Sequence, residues 1–298
     1  MNKKKILIIK LLALGDVLRT TPVLRILNGN ITWITKKEAF PLLKTKLIDK
    51  LINIDNKNKL EKLKREKFDL VLSLDEDIQA AKLASEIKTK KLIGVYFKNG
   101  KEVYTEDSND WFDMSLISRF GIKKANQLKK KNKLSYQELL FNMLGKKFKG
   151  EEYVLNIKPK TVNKPIIGIE KRAGEKWPAK QWVYYDKLAQ KLKKDGYTVN
   201  ILKQRKNLVN YIKDINKCSV IVCGDTLAMH IALALKKKIV ALFTCTSPQE
   251  IYDYGRLRKI VSPLLNKHFY KKKASPSIKK SIKLNMVYQE IKKLIQKN

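Results

Sequence analysis

The sequence predicts an α/β protein of two tandem domains, each built on a parallel sheet. Three observations predict it. Short, nearly continuous runs of β-branched and apolar residues recur, as strands buried on both faces require. Helical patterns lie between several of them, so strand and helix alternate. The alternation pauses once and restarts, and 298 residues suffice for about two domains at roughly 100 to 200 residues each.

In the first half the strand-like runs are Ile6 to Ile9, Ile31 to Thr35, Leu51 to Ile54, Leu70 to Leu74 and Leu92 to Phe97. Leu60 to Lys67 and the Ala-rich Ile78 to Ile87 carry helical spacing between them. Asn109 to Gly150 lacks strand patterning and reads as helices with a lysine-rich connection, Lys129 to Lys133. After Tyr153 to Ile157, the stretch Lys158 to Pro165 holds two prolines and little apolar content, which marks a domain boundary. The alternation restarts with Ile166 to Ile169, a helix over Gln181 to Lys194, a strand from Tyr197 to Leu202 and a helix over Leu208 to Ile215. Ser219 to Cys223, helix Leu227 to Leu235, Ile239 to Phe243 and Lys259 to Val261 continue it. The charged run Lys267 to Lys280 reads as an exposed loop. Asn285 reads as the cap of a final helix whose Val287, Ile291, Leu294 and Ile295 share one face. The expected domains are residues 1–160 and 164–280, followed by this helix over 281–298. Tandem α/β domains place ligands at the carboxyl ends of their strands, so the site is expected in a cleft between the two.

Composition narrows the function classes. With 44% hydrophobic and 31% charged residues, the chain is not a disordered tail, a collagen-like fibre or a disulfide mini-protein. No apolar run approaches the roughly 20 residues that span a bilayer. The basic start, Met1 to Lys5, leads through Ile6 to Leu14 into Gly15 and Asp16 instead of a cleavage site, so no signal peptide is read. Three cysteines (Cys218, Cys223, Cys245) without CxxC spacing fit a reducing, cytoplasmic setting better than a disulfide framework or a zinc site. The formal charge is +37, carried by 57 lysines and only eight arginines. Lysine is a point charge with little capacity to read bases, so no specific nucleic-acid partner is expected. A solvated lysine surface, an anionic membrane surface and an anionic substrate all remain readings of the charge.

Three blocks could carry chemistry. The first is Leu14-Gly15-Asp16-Val17-Leu18-Arg19-Thr20-Thr21-Pro22, directly after the first strand. Asp16 either caps a helix or acts as a general base on an acceptor hydroxyl. Arg19 either binds a phosphate or carboxylate of the acceptor or forms a surface ion pair, and Thr20 joins it as an acceptor-side candidate. The second is Cys223-Gly224-Asp225-Thr226-Leu227-Ala228-Met229-His230. Gly224 allows close backbone approach, and Asp225 with Thr226 opens a helix whose N-terminal amides favour phosphate. His230, one turn on, is either a core histidine or a ligand to the same group. The third is Ala173-Gly174-Glu175-Lys176-Trp177-Pro178-Ala179-Lys180-Gln181-Trp182. Lys176 would offset leaving-group charge, the tryptophans pack or stack, and Lys180 reads as solvated. The acidic run Asp75-Glu76-Asp77 reads as a solvated strand end, and no metal-ligand set is visible.

Together and in this order, "LALGDVLRTTPVLR" (12–25), "KWPAKQW" (176–182) and "GDTLAMHIALALKKKIVALF" (224–243) resemble the signatures of glycosyltransferase family 9, the lipopolysaccharide heptosyltransferases; "YQELLFNMLG" (136–145) also resembles one branch of it. The resemblance implies a GT-B fold of two facing Rossmann-like domains, with the C-terminal helix packing back toward the first. It implies inverting, metal-independent transfer with no cofactor, from a nucleotide sugar, ADP-heptose in the family, to a saccharide or glycolipid acceptor. By resemblance Asp16 is the catalytic base, and Lys176, Gly224, Asp225, Thr226, His230, Thr246 and Ser247 are donor-binding. Peripheral placement at the inner leaflet of the cytoplasmic membrane would follow from a lipid-linked acceptor. The chain departs from the family where Lys203 to Asn207 leads straight into a helix, so that a βα unit is missing. Thr244-Cys245 also stands in place of Gly-Pro. These departures keep open a nucleotide-sugar-binding protein without transferase activity, and the charge alone keeps open a polyanion-binding protein.

Overall fold

Leu7, Ile8 and Ile9 are fully buried because β1 (Lys5–Ile9) runs through the middle of a six-stranded sheet. The computed structural model describes residues 3–162, 164–174, 177–271 and 273–296, which divide into two units, Met1–Asn156 and Ile157–Asn298.

Unit 1 continues through α1 (Leu14–Thr20), β2 (Asn30–Thr35), α2 (Phe40–Leu43), β3 (Lys50–Asn53) and α3 (Lys57–Lys64). The short β4 (Lys67–Phe68), β5 (Leu70–Ser73), α4 (Ile78–Glu86), the short β6 (Lys88–Thr89) and β7 (Leu92–Lys98) follow. It closes with β8 (Lys101–Tyr104), α5 (Asn109–Phe112), α6 (Gly121–Lys131) and α7 (Tyr136–Met143). The sheet order is β3-β2-β1-β5-β7-β8. The order reverses between β1 and β5, which opens a crevice at their carboxyl ends. On one face Leu7, Ile9, Ile34 and Val71 pack under Leu60 and Leu63 of α3 and Leu83 of α4. All pairs are parallel except β7 with β8. That hairpin was not read from the sequence, although Asn99-Gly100, both at positive φ, is the residue pair that a tight hairpin turn demands.

Unit 2 comprises β9 (Ile166–Ile169), α8 (Tyr185–Lys194), β10 (Thr198–Ile201), α9 (Leu208–Asn216), β11 (Val220–Gly224) and α10 (Leu227–Ala234). After these come β12 (Lys238–Phe243), β13 (Leu257–Val261), α11 (Leu265–His268), α12 (Pro276–Lys280) and α13 (Leu284–Gln296). Its five strands are all parallel in the order β10-β9-β11-β12-β13. The reversal falls between β9 and β11. Chain passes from β10 through Lys203–Asn207 into α9 and then β11, with no further strand between them.

Three expectations are corrected here. The terminal helix α13 buries Val287, Ile291 and Leu294 in unit 2's own core, beside Trp182 and Leu188. It begins at Leu284, so Asn285 lies inside it and is not its cap. Residues 158–160 were placed in the first domain or the boundary. They belong to unit 2 because Asn216 accepts from the Lys160 amide and donates to the Lys158 carbonyl, while Lys237 Nζ donates to the Lys160 carbonyl. The run 267–280 is not a bare loop, since Ile278 of α12 is fully buried against Ala179 and Cys245. Among the described residues, no helix is long and apolar enough to cross a membrane.

Candidate functional site

In unit 1, Asp16 sits in the first turn of α1, after the carboxyl end of β1. Ala13, not Asp16, is the N-cap, so the capping reading of Asp16 fails on position. Its side chain is 37% exposed and meets Arg19 Nε at 3.0 Å. Arg19 is held by aromatic faces: its guanidinium lies 4.2 Å from the Tyr136 ring centroid and 5.4 Å from that of Trp111. Such stacking aims a cation with little loss of freedom. Thr20 is fully buried, its hydroxyl donating to the Asp16 carbonyl at 2.7 Å and sharing a hydrogen bond with Tyr136 at 2.9 Å. It therefore fixes the platform under Arg19 and is not itself presented to an acceptor.

Beneath Asp16 lies a second charged layer that the sequence reading missed. Of the run 75–77 only Asp77 is exposed. Asp75 is buried, accepts from the Leu11 amide at 2.8 Å and the Leu12 amide at 3.3 Å, and pairs with the buried Lys10 at 3.3 Å. Burial works against the Lys10 charge, but the carboxylates of Asp75 and then Asp16 raise its pKa, so it remains a cation. Glu76 accepts from the Leu116 amide at 3.2 Å. Its pKa is raised by burial, which the nearby Lys10 and Lys129 only partly offset. Asp77 caps α4 by accepting from the Gln79 and Ala80 amides. An acidic run at the end of a central strand beside the sheet's reversal is the signal that would have found this layer.

In unit 2, the junction from β11 to α10 brings most of the second block together. Asp225 is gripped by Lys180, whose Nζ donates to its Oδ2 at 2.8 Å and to its backbone carbonyl at 2.7 Å. Thr246 Oγ1 donates to the same carboxylate at 2.7 Å. Burial alone would raise the Asp225 pKa; the charges of Lys180 and His230 and both hydrogen bonds outweigh it and hold the carboxyl well below the usual carboxylate range. Lys180, expected to be solvated, is thus the most heavily engaged cation of the block. It is placed by a short turn, Pro178–Lys180, pinned where Thr244 Oγ1 donates to the Ala179 carbonyl at 2.7 Å.

Thr226 is the N-cap of α10, yet its side chain caps nothing. Its Oγ1 is buried without a hydrogen-bond partner among the described residues. At Gly224 a Cβ would stand no closer than 3.4 Å to any neighbour, the Lys180 carbonyl oxygen, so the chain's own packing does not demand glycine there. Gly168 of β9 shows the contrast, because a Cβ would lie 2.6 Å from Ile221 Cδ1 and 2.7 Å from Cys218 Sγ. His230 is buried one turn into α10, and Thr246 and Ser247 are buried after β12. Trp182 packs in the core and donates to the Ile282 carbonyl, while Trp177 meets Tyr270 edge-on at 5.8 Å. Lys176 lies outside the described residues.

Sequence reasoning also missed Glu170, at the carboxyl end of β9. It is buried, paired with Arg172 at 2.5 Å and accepting from the Tyr211 hydroxyl. Burial and this carboxylate push the Tyr211 pKa far above the ordinary tyrosine value, so that hydroxyl acts as a donor. Among the described residues, no three His, Cys, Asp or Glu side chains gather as a metal set.

Comparison with known proteins agrees with the resemblance read above. The model of glycosyltransferase family 9 (heptosyltransferase) matches residues 201–281, a segment containing the β11–α10 junction. No curated protein matches the sequence significantly. Among solved structures, a glycosyl transferase family 9 protein from Veillonella parvula aligns over 100% of this chain and 98% of its own, at 17% identity and a TM-score of 0.67. The E. coli ADP-heptose lipopolysaccharide heptosyltransferase II aligns over 98% of both chains, at 17% identity and 0.66. The E. coli heptosyltransferase WaaC, solved with ADP-2-deoxy-2-fluoro heptose, covers 97% of this chain and 99% of its own, at 14% identity and 0.58. At such identities the structures attest the fold, and the family model adds the signature. The chain thus resembles glycosyltransferase family 9 (heptosyltransferase) in sequence over 201–281 and shares the fold of such enzymes over its whole length.

Proposed function

We propose that the protein transfers a sugar from a nucleotide-sugar donor, heptose from ADP-heptose, to a saccharide or lipid-linked saccharide acceptor, by an inverting displacement that uses neither metal nor cofactor. The observation that carries the reading is the head of α10. An N-cap hydroxyl is buried without a partner among the described residues at Thr226, beside a glycine that the surrounding packing does not require. The N-terminus of an eight-residue helix begins at the same place, and such an end supplies amide donors of the kind a diphosphate requires. The donor named with the solved WaaC structure supports the choice of an ADP-linked sugar.

In this reading the Asp225 carboxylate, already neutralised by Lys180, orients the loop and contacts a donor hydroxyl without repelling the phosphates. Gly224, His230, Thr246 and Ser247 complete the donor side, and Lys176 joins them by resemblance. On the acceptor side Arg19 anchors an anionic group of the acceptor, and Asp16 takes the proton from the attacking hydroxyl. That oxygen bonds to the anomeric carbon while the bond to the diphosphate oxygen breaks, and the electron pair leaves on ADP. Positive potential at α10 stabilises the charge that develops there.

The test has two arms. ADP and ADP-heptose should raise the melting temperature of the wild type by several degrees at about 100 times Kd, more than UDP, GDP or CDP, and Thr226→Val should remove the preference. Asp16→Asn should keep donor binding and abolish transfer. Donor binding without transfer by the wild type to any acceptor would favour the non-catalytic binding protein. Equal small shifts with every nucleotide would reduce the reading to attraction between lysines and anions.

A further inference from the structure

Helix α6 is not accounted for by the packing of its own unit. Of its 11 residues only Ala125 is buried, although a helix of this length is marginal in water without a packed face. The turn before it and its first residues hold large apolar side chains out of the core: Leu116 is 72%, Phe120 52% and Ile122 52% exposed. Isolated exposed hydrophobics are ordinary, but these three fall within seven consecutive positions. Within the segment itself every charge is positive, although from outside it the Glu76 carboxylate accepts from the Leu116 amide. From Met114 to Gln137 the chain has no Asp or Glu, and it carries Arg119 and six lysines. Arg119 pairs with Asp113 at 3.0 Å, and Lys129 lies over the Trp111 ring. Lys123, Lys124, Lys131 and Lys133 are exposed.

We propose that residues 116–134 form a docking surface for an anionic lipid bilayer. Leu116, Phe120 and Ile122 enter the boundary between headgroups and acyl chains, and the exposed lysines of α6 meet acidic headgroups. The chemistry selects this partner over others. Apolar tips flanked by flexible lysines, with no carboxylate among them, match an interface that is hydrophobic below and anionic above. A nucleic acid has no use for the apolar tips, and a protein partner of ordinary composition would leave the run of lysines unmatched. A helix whose charged residues are all basic gains its missing partner by lying on such a surface. The inference rests on this surface alone and not on the transferase reading.

Because a chain of charge +37 adsorbs to anionic vesicles by many routes, the decisive variant leaves the charge unchanged. The full chain is sedimented with vesicles of phosphatidylcholine, with and without phosphatidylglycerol, at physiological salt, where long-range attraction is screened. L116S/F120S/I122S should partition at least about tenfold more weakly onto the phosphatidylglycerol vesicles. K123Q/K124Q/K131Q should also weaken binding, whereas K187Q/K193Q/K194Q, an equal loss of charge from α8, should not. In a Phe120→Trp variant, lipids brominated on the acyl chains should quench fluorescence beyond the level seen in the wild type. Unchanged partitioning of a folded L116S/F120S/I122S protein, equal losses from both lysine sets, or no added quenching at Phe120→Trp would each overturn the proposal.

Discussion

At Asp225 burial and charge act in opposite directions, and the outcome depends on one cation. With Lys180 in place the carboxyl pKa is held low, so the folded state binds fewer protons than the unfolded chain. The pair's stabilising contribution is therefore complete above the unfolded value of about 3.9 and is lost only as pH falls below it toward the depressed value. Lys180→Met leaves the carboxylate buried with its main partner gone, and should cost about 3 kcal/mol in urea unfolding near pH 7. The sign of the pH dependence then inverts. Burial raises the Asp225 pKa in the variant, the folded state binds the extra proton, and the deficit should shrink on acidification toward about pH 5. A deficit that stays constant between those conditions would mean that Lys180 acts through packing alone. Asp225 was legible in the sequence because a glycine and an aspartate between a β-branched strand and a helix have few structural uses. Lys180 was not, because no periodicity reports that side chains 45 positions apart meet in space.

Elements were legible where local chemistry and tertiary need coincide. Apart from β8, the strands of both sheets were read within a residue or two because burial on both faces leaves unbroken apolar runs. Ser135 illustrates a local signal that survives intact: its hydroxyl accepts from the Glu138 amide, and the Glu138 carboxylate accepts from the Ser135 amide, closing a capping box at α7. Ser135→Ala should cost about 1 kcal/mol, measured by thermal or urea unfolding, and Ser135→Asp should restore most of it. Gly94 in β7 is the opposite case, because its need is entirely tertiary. Its φ is +105° and a Cβ would stand 1.9 Å from the Ser73 carbonyl oxygen. Gly94→Ala should cost about 4 kcal/mol, at the upper end for one substitution, and a variant that melts with the wild type would refute this account. Elements read poorly are those whose sequence serves something other than the core. Lysines 129 to 131 looked like a connection and instead form the last turn of α6, where cations suit the carboxyl end of a helix. The apolar face of α13 was visible in the sequence, but the unit that receives it was not, since an amphipathic pattern names a face and not its partner.

On the scale of the whole molecule the restart of strand and helix alternation after Pro165 carried the architecture, and the three blocks carried the resemblance to a family whose model matches residues 201–281. What composition left open was the meaning of the charge. With 65 Lys and Arg against 28 Asp and Glu, most basic side chains have no carboxylate to pair with, however the surface is arranged. Ion pairs such as Lys36 with Asp55 and Lys90 with Asp69 are exposed, and each contributes little in water. The buried pairs, Lys10 with Asp75 and Lys180 with Asp225, are weakly screened by salt. Self-repulsion among the unpaired lysines therefore dominates the long-range term and opposes the compact state. Raising sodium chloride from about 20 mM to 300 mM shortens the Debye length from roughly 20 Å to 6 Å, which weakens repulsion between lysines on neighbouring elements. The melting temperature should rise by a few degrees over that range, and sodium sulfate should raise it further through exclusion from the surface. The same titration on K123Q/K124Q/K131Q should start from a higher melting temperature at low salt and climb less. A melting temperature that falls with sodium chloride would mean that attractive surface pairs outweigh the excess charge, and that the lysines are arranged around the carboxylates far more favourably than their numbers require.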